Sequence, residues 1–432
     1  MPLLNESTKK TYIFLFKWMF ISVIAGVAGV LTVHSFMLLL SRAGSLISDT
    51  DLPMAVWLIA GAVVTGGVIY RIDPRAAGEG IPSYIQSLRS EQGSLPLKTT
   101  LLKYLAGLVT LSAFNSGGVV GPLGRTSAGV VSWLVEKLSR AGIVFKREDI
   151  RTASICGLAA VIGTVFHSSI GAGILAVEVI QRSRMGYSDL FPAIMSSCSA
   201  VFLCKAAGWE SFYRFNVPDE FMDISMTGWL IVCAVISGIA GGAYEKTYIV
   251  ISKFFRRKEG RLFFKVLLGS LAGFVLCYLV NPELMGTSRR FIPALLSADF
   301  GIFTVWGGQG LPVWAVLGIL LCFKLLTNCI VVGSGMSAGF TGPAVISGML
   351  LGGAFALLVG VEPGSATYYA FICAGFAGLL GGSMNVPIAS SIMAVELFGL
   401  EYSFAAGLAS VVAFQMSRGT AIYTYAVEEN SL

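Results

Sequence analysis

Apolar runs separated by short polar segments set the pattern of this chain. An α-helix rises about 1.5 Å per residue, so about 20 apolar residues cross the roughly 30 Å core of a bilayer. Some runs have that length or more, whereas others are too short to cross. The pattern therefore predicts an all-α membrane protein whose helices differ in length and tilt. The main apolar runs cover residues 12–40, 52–70, 97–114, 150–166, 187–206, 226–255, 262–280 and 313–332.

Composition narrows the class of protein further. The chain is 55% hydrophobic and 12% charged, which leaves little room for a soluble domain. Its net charge of +6 is typical of positive loops facing the cytoplasm, not of a nucleic-acid surface. The first apolar run is too long for a signal peptide, so we expect it to remain as a tilted helix. Eight cysteines without a CxxC pair and only two histidines argue against a metal site, a disulfide framework and an enzyme.

Three glycine-rich segments interrupt the apolar pattern. They read GEGIP at 78–82, NSGGVVGPLGR at 115–125 and GSGMSAGFTGP at 333–343. Glycine frees the backbone and proline starts a helix, so each segment predicts a helix that begins within the membrane, the first of them re-entrant. Such a helix N-terminus presents free N–H groups and about half a positive charge, which suits an anion. Close packing of glycines between membrane helices is the alternative that the pattern leaves open.

An internal repeat relates the two halves of the chain. Residues 157–178 match residues 375–396 at a constant offset of 218 (375 minus 157), and the same offset relates the glycines of the second and third segments. Duplicated halves with broken helices are typical of transporters that hold a site near the midplane. The matched segments end in Glu178 and Glu396, whose symmetric positions favour a structural role at helix ends over a functional one.

We divide the chain into a cytoplasmic segment at 1–11, a first transmembrane repeat at 12–210, a second at 211–417, and a last short helix with a cytoplasmic tail at 418–432, without a regulatory domain.

These motifs together resemble the CLC family of chloride channels and chloride/proton antiporters. Residues 78–82 are similar to the family's Gly-Ser-Gly-Ile-Pro loop, and residues 116–124 to its Ser-Gly-x-x-x-Gly-Arg-Glu-Gly-Pro motif. Residues 339–343 are similar to its Gly-x-Phe-x-Pro motif, and residues 418–423 to the segment that starts its last helix. The resemblance implies that these segments surround a bound anion such as chloride, with no other cofactor. The anion-pathway residues that it implies are Glu79, Gly80, Ile81, Pro122, Leu123, Gly124, Phe340, Thr341 and Tyr423.

The resemblance also implies a fold, an assembly and a location. The fold is an all-α CLC-type membrane fold with two inverted-topology repeats of broken and re-entrant helices. The assembly is a homodimer with one pathway in each subunit, and the location is the bilayer of a prokaryotic inner membrane.

Tyr423 matches a family tyrosine whose hydroxyl is a neutral donor to an anion, with an interfacial anchor as the alternative. Lys103 and Lys324 stand where the family commonly has basic residues, and Lys324 either adds positive potential to the pathway or extends toward the membrane surface.

The sequence departs from the family pattern at two carboxylates. Matching the glycines puts Leu123 at the position of the gating glutamate, and the repeat offset agrees because it pairs Leu123 with Thr341. A gapless count from Gly78 puts Val120 there instead, and either residue is apolar and carries no proton. The family's inner proton-transfer acid follows another glutamate, but here Glu178 is followed by valine. Two missing carboxylates favour passive conduction over ordinary chloride/proton exchange.

A third departure adds a carboxylate, because Glu79 stands where the family has a serine that donates to the anion. A carboxylate about 4 Å from chloride repels it by roughly 4 kcal/mol at an effective dielectric of about 20. Three interpretations stay open. Glu79 points into the inner vestibule without a special role, or it is protonated by burial and donates its O–H to the anion, or it occupies the anion site as a tethered carboxylate that replaces the missing gate.

The leading functional prediction is passive conduction of a small anion, chloride by default, through a pore that lacks the gating glutamate. A proton-coupled exchanger that uses Glu79 as its carboxylate is the first alternative. A receptor or scaffold that keeps the fold without transport is the second, because polar residues are missing at the gate, at the inner acid and at the anion-binding serine.

Overall fold

The structure of this chain is a computed structural model that describes residues 6–50, 52–90, 93–141, 145–180, 186–210, 212, 215, 217–257, 262–418 and 421–423. Within these residues the fold is built from helices, and an isolated antiparallel bridge joins Gly118 to Gly339. The predicted end segments at 1–11 and 418–432 lie partly outside the described residues.

Long and short helices alternate along the described part of the chain. A π-helical segment, Val63–Ile69, joins α2 to α3, so that the three pieces form one continuous span. The helices are α1 (Glu6–Ser48), α2 (Met54–Ala62), α3 (Tyr70–Ile72), α4 (Ile81–Ser90), α5 (Leu97–Ser112), α6 (Val120–Arg140), α7 (Arg147–Phe166), α8 (Ile170–Glu178), α9 (Tyr187–Ala206), α10 (Thr227–Arg257), α11 (Leu262–Val280), α12 (Phe291–Leu296), α13 (Val313–Gly333), α14 (Thr341–Leu358), α15 (Ala366–Met384), α16 (Pro387–Phe398) and α17 (Ser403–Met416).

The helices have the unequal lengths that the apolar pattern predicts. In the described part of the chain, nine helical segments are long and apolar enough to cross a membrane. The longest, α1, has 43 residues, about 65 Å at 1.5 Å per residue, and therefore tilts or projects beyond the bilayer. By contrast α4, α8 and α12 have 10, 9 and 6 residues and are too short to span. The chain is an integral, multi-pass membrane protein.

The packing repeats itself in the two halves. In the first half α6 packs along α7 and α7 along α9, and in the second half α14 packs along α15 and α15 along α17. The short helices α8 and α16 pack against each other and join the halves. The two halves are inverted-topology repeats with broken and re-entrant helices, as the sequence predicts.

The offset between the repeats changes along the chain because one helix is longer than its counterpart. Helix α6 has 21 residues and α14 has 18. Their ends, Arg140 and Leu358, are 218 residues apart (358 minus 140), but their first residues, Val120 and Thr341, are 221 apart (341 minus 120). The offset of 218 therefore holds after these helices and fails at their N-termini.

Reciprocal carboxylates fasten the repeats to each other. Glu396, at the end of α16, accepts three backbone N–H bonds of 2.8–3.1 Å from the N-terminus of α8. Glu178, at the end of α8, accepts two such bonds, of 2.8 and 3.2 Å, from the N-terminus of α16. Carboxylates stabilise helix N-termini because they satisfy unpaired N–H groups and oppose the helix dipole. These contacts indicate that Glu178 and Glu396 have a structural role, which is to hold the two repeats together.

We expect Glu396→Ala to destabilise the fold. The substitution leaves three N–H groups of α8 without their carboxylate, and hydrogen bonds to charged groups each contribute on the order of 1 kcal/mol or more. Thermal unfolding of the purified protein in detergent measures the loss. Glu362→Ala, which removes an exposed carboxylate, is the control. Equal unfolding temperatures for the two variants would contradict a structural role for Glu396.

Candidate functional site

A glycine-bounded loop brings Glu79 into the protein core. Gly78 and Gly80 have φ angles of 73° and 119°, which L-residues with side chains rarely adopt. A Cβ at Gly80 would also lie 2.7 Å from a carbonyl oxygen at the start of α6. Lys103, fully buried on α5, donates from Nζ to the carbonyl oxygens of Ala76 and Gly78. A buried lysine side chain of α5 therefore holds this loop, whose Gly80 lies close against α6.

Three donors surround the Glu79 carboxylate, which is 4% exposed. The backbone N–H of Ile81 donates to Oε2 at 2.6 Å. The hydroxyl of Tyr423 donates to Oε1 at 3.2 Å, and the backbone N–H of Phe340 approaches the same atom at 3.4 Å. Ile81 is the first residue of α4, and Phe340 is the N-cap of α14. Four of the predicted site residues therefore meet at one carboxylate.

This donor set is suited to a small anion. Backbone N–H groups at helix N-termini and a phenol hydroxyl all donate to negative charge, and the N–H groups cannot accept. The hydroxyl of Thr341 lies 3.3 Å from that of Tyr423 and extends the same polar surface. Glu79 acts here as an acceptor that fills the site, as in the interpretation of a tethered carboxylate. It does not point away into the vestibule.

Side chains that the sequence analysis did not identify support the α14 end of the site. The rings of Tyr244 and Tyr248 on α10 pack edge-on against Phe340, with centroids 6.0 and 4.8 Å away. The hydroxyl of Tyr244 donates to Oδ1 of Asn328 at 2.5 Å, and Nδ2 of Asn328 donates to the carbonyl oxygen of Gly339 at 3.1 Å. The two tyrosines lie one turn apart on α10, but their sequence spacing alone does not distinguish them from other core aromatics.

The start of α6 requires a correction. The Gly118–Gly339 bridge aligns the two breaks at an offset of 221 (339 minus 118), the same as for the first residues of α6 and α14. In this register Val120 corresponds to Thr341. The prediction of Leu123 rested on matching the family's glycines and on an offset of 218. The offset no longer supports it, since Leu123 lies almost one turn further into α6. Both residues are buried and apolar, so neither carries a proton.

The other predicted residues of α6 have packing roles. Pro122 packs against α5, where a Cβ at Gly107 would lie 2.9 Å from the Cβ of Pro122. Gly124 allows close contact with α7, because a Cβ there would collide with a leucine of that helix. The glycine in contact with the site is Gly121, where a Cβ would collide with the carboxylate of Glu79.

Lys324 fastens the equivalent loop of the second repeat. Its Nζ donates to the hydroxyl of Ser116 at 2.9 Å and to the carbonyl oxygens of Leu284 and Gly286 at 3.1 and 3.0 Å. The side chain is fully buried, so it does not extend toward the membrane surface. Lys103 and Lys324 are 221 residues apart (324 minus 103), which makes them counterparts in the corrected register.

A cavity of about 610 Å³, which we call the vestibule, opens beside the Glu79 loop. Gly78 lines it, as do Arg125, Arg256 and Arg75, the last of which is paired with Asp73 at 3.0 Å. Arg256 belongs to the last turn of α10, so the vestibule extends toward the basic end of that helix. Positive side chains around a cleft raise the local concentration of anions. The vestibule is suited to supply anions to the site.

Helical segments long enough to cross a membrane, and a donor set suited to a small anion where broken helices meet, together define a membrane transport protein. The family model described as voltage gated chloride channel matches residues 60–418, and the chain belongs to this family. The predicted family is thus confirmed.

Named relatives and a solved structure agree with this assignment. The chain is 25% identical over 373 residues to the chloride/fluoride channel protein of Pseudomonas syringae, covering 86% of this chain and 78% of that protein. It is 24% identical over 364 residues to an H(+)/Cl(-) exchange transporter of Vibrio cholerae, covering 80% and 72%. The crystal structure of a CLC-type fluoride/proton antiporter matches with a TM-score of 0.79 and 19% identity, covering 97% of this chain and 98% of the other, which confirms the fold. These relatives are named as channels or transporters, not as enzymes.

We expect Lys103→Met to impair both stability and anion flux. The methionine matches the lysine in length but leaves two loop carbonyls without a donor, which costs on the order of 1–3 kcal/mol for each buried group. A loosened loop misplaces Glu79, and we expect anion release from liposomes to fall about tenfold or more. Lys98→Met, an exposed position on the same helix, is the control. Wild-type flux and unfolding temperature in Lys103→Met would show that the loop does not need its ammonium group.

Proposed function

We propose that this chain exchanges a small anion for protons, with Glu79 as the mobile carboxylate. The observation that supports this most directly is the occupation of the donor set by Glu79, through Ile81, Phe340 and Tyr423. An anion binds these donors only when the carboxylate leaves them. Protonation removes the negative charge and weakens the charge-assisted hydrogen bonds that hold Glu79. Proton binding and anion binding are therefore linked through one side chain.

Chloride and fluoride are the anions that we propose as substrates, with no cofactor beyond the bound anion. A small ion fits between two backbone N–H groups and one hydroxyl, all of which are neutral donors. The names of the relatives mention both ions and include exchangers as well as a channel.

Passive conduction through a pore without the gating glutamate is the second candidate. It is favoured by the apolar residues where the family carries acids, Val120 or Leu123 at the start of α6 and Val179 after Glu178. In this case Glu79 is a plug that moves without carrying a net flow of protons. The two candidates differ in whether proton movement accompanies the anion.

Glu79→Gln should separate anion movement from proton movement. Liposomes that contain the purified protein are loaded with chloride or fluoride, and anion release is recorded together with external pH while valinomycin carries potassium. For the wild type we expect anion release with proton uptake in fixed proportion. For Glu79→Gln we expect anion release to continue without proton uptake, because the amide does not titrate. Glu79→Ser, which empties the site, should raise anion flux.

The control for this experiment is Glu362→Gln, which changes an exposed carboxylate outside the site and should keep wild-type coupling. Anion release by the wild type without proton movement would favour passive conduction. Proton uptake that persists in Glu79→Gln would overturn the role of Glu79. Absence of flux for both ions in well-folded protein would favour a non-transporting receptor or scaffold.

We also propose that the protein is a homodimer in a prokaryotic inner membrane. The short helices α8 and α16 leave Ile170 and Ile388 about half exposed, and neighbouring α17 exposes Phe404 and Val411. A continuous apolar surface on short helices suits a second copy of the chain. We expect light scattering in detergent to give twice the chain mass, and Ile388→Trp to shift the protein toward the monomer. A monomeric wild type would contradict the proposal.

The relatives named above are bacterial, which supports the proposed location in a prokaryotic inner membrane.

A further inference from the structure

A second cleft lies at the end of α4 that points away from Glu79. Its volume is about 580 Å³, a size typical of small-molecule sites. Ser90, the last residue of α4, lines both this cleft and the vestibule, so the two spaces are neighbours on one side of the membrane. We call it the arginine cleft. Its lining residues are Arg89, Ser90, Ser94, Glu136, Ser139, Arg140, Arg147 and Ile150.

The lining of the arginine cleft is polar and positive. Among the described lining residues the carboxylate is that of Glu136, which is half-buried and accepts the hydroxyl of Ser94 at 2.6 Å. The carboxylates of Asp149 and Asp189 on adjacent helices are already paired with basic side chains, at 2.5 and 2.7 Å. Among the described lining residues, arginines therefore outnumber carboxylates three to one. Such a cleft attracts an anion with more than one negative charge.

A phosphate group matches this lining better than a halide ion does. Guanidinium groups bind phosphate oxygens through pairs of parallel hydrogen bonds. The cleft is also far larger than a single halide, so it has room for whatever carries the phosphate. Basic side chains concentrate on the cytoplasmic side of membrane proteins, where phosphate headgroups and phosphorylated compounds are both present.

Helix α4 connects the arginine cleft to the anion site. The helix has 10 residues and is about 15 Å long. Ile81 at its start donates to Glu79, whereas Arg89 and Ser90 at its end line the cleft. In the middle, the buried hydroxyl of Tyr84 lies 3.1 Å from a serine hydroxyl of α7. A ligand that fixes the end of α4 therefore acts on the N–H group that holds the carboxylate.

We propose that the arginine cleft binds a phosphate-bearing anion, and that its occupancy sets the rate of anion exchange through α4. The phosphate belongs either to the headgroup of a membrane phospholipid or to a free phosphorylated compound in the adjoining solution. Both sources present the same group to the arginines. The effect on rate rests on the proposed function, whereas the binding itself does not.

Binding is tested on the purified full-length protein and on the double variant Arg140→Gln/Arg147→Gln. Thermal unfolding is measured in inorganic phosphate and in chloride at equal ionic strength, and native mass spectrometry records retained phosphatidic acid. We expect phosphate to stabilise the wild type, and the double variant to need about tenfold more phosphate for the same effect. Lys98→Gln/Lys137→Gln removes the same charge from exposed lysines outside the cleft and should respond as the wild type does.

Flux measurements then distinguish the two sources. Liposomes of phosphatidylcholine alone are compared with liposomes that also contain phosphatidic acid, with and without inorganic phosphate in the bath. A change in anion release with phosphatidic acid only, lost in the double arginine variant, supports the lipid source. A change with bath phosphate only, lost in the same variant, supports the free compound.

Two results would overturn the proposal: equal responses of the wild type and the double arginine variant, or no response to either probe in unfolding, mass spectrometry and flux. Glu79→Gln separates phosphate binding from the proposed function. This variant should lose proton uptake, but phosphate should still stabilise it against thermal unfolding. Wild-type protein that is stabilised by phosphate but moves no anion would contradict only the exchange mechanism and the rate effect.

Discussion

A buried carboxyl group must find hydrogen-bond partners, and this requirement organises the centre of the protein. Glu79 obtains its donors from segments far apart in sequence: the start of α4, the start of α14 and the segment that contains Tyr423. No single helix could supply them, since the N–H groups within a helix are already bonded. Broken helices are therefore a consequence of the site, and close glycine contacts such as that of Gly121 with Glu79 bring the broken ends together.

Both repeats contain a loop that a buried lysine holds in place, but the loop of the first repeat has an acidic residue where that of the second has a threonine. Lys103 and Lys324 each bind two carbonyl oxygens of the loop that precedes a short helix, α4 in the first repeat and α12 in the second. Gly78 and Gly286 are equivalent in these loops, each bound through its carbonyl oxygen. The residue that follows is Glu79 in the first repeat and a threonine in the second. The duplicated fold thus provides two lysine-bound loops, and the first of them carries the acidic residue on which the proposed exchange rests.

Much of this arrangement was predictable from the sequence, and the errors have physical causes. Membrane spans follow from apolar length, and broken helices from glycine and proline, so the fold and the meeting of Glu79, Phe340 and Tyr423 were within reach. The choice between Val120 and Leu123 as the counterpart of Thr341 could not be made from the sequence. A constant offset between the repeats assumes equal helix lengths, and α6 is three residues longer than α14 (21 against 18). The direction of Glu79 and the support from Tyr244 and Asn328 depend on tertiary packing. Sequence spacing does not contain that information.

Charge repulsion is the physical basis of the proposed exchange through one carboxylate, where the family pattern has more. Two unit charges about 4 Å apart repel by roughly 4 kcal/mol at an effective dielectric of about 20, which is about a thousandfold in a binding constant. An ionised Glu79 and a bound halide therefore exclude each other from the same donors. In the proposed exchange, a neutral Glu79 imposes no such penalty, so proton binding favours the anion at these donors. The proposed exchange then needs no acid at the start of α6, where Val120 and Leu123 are apolar.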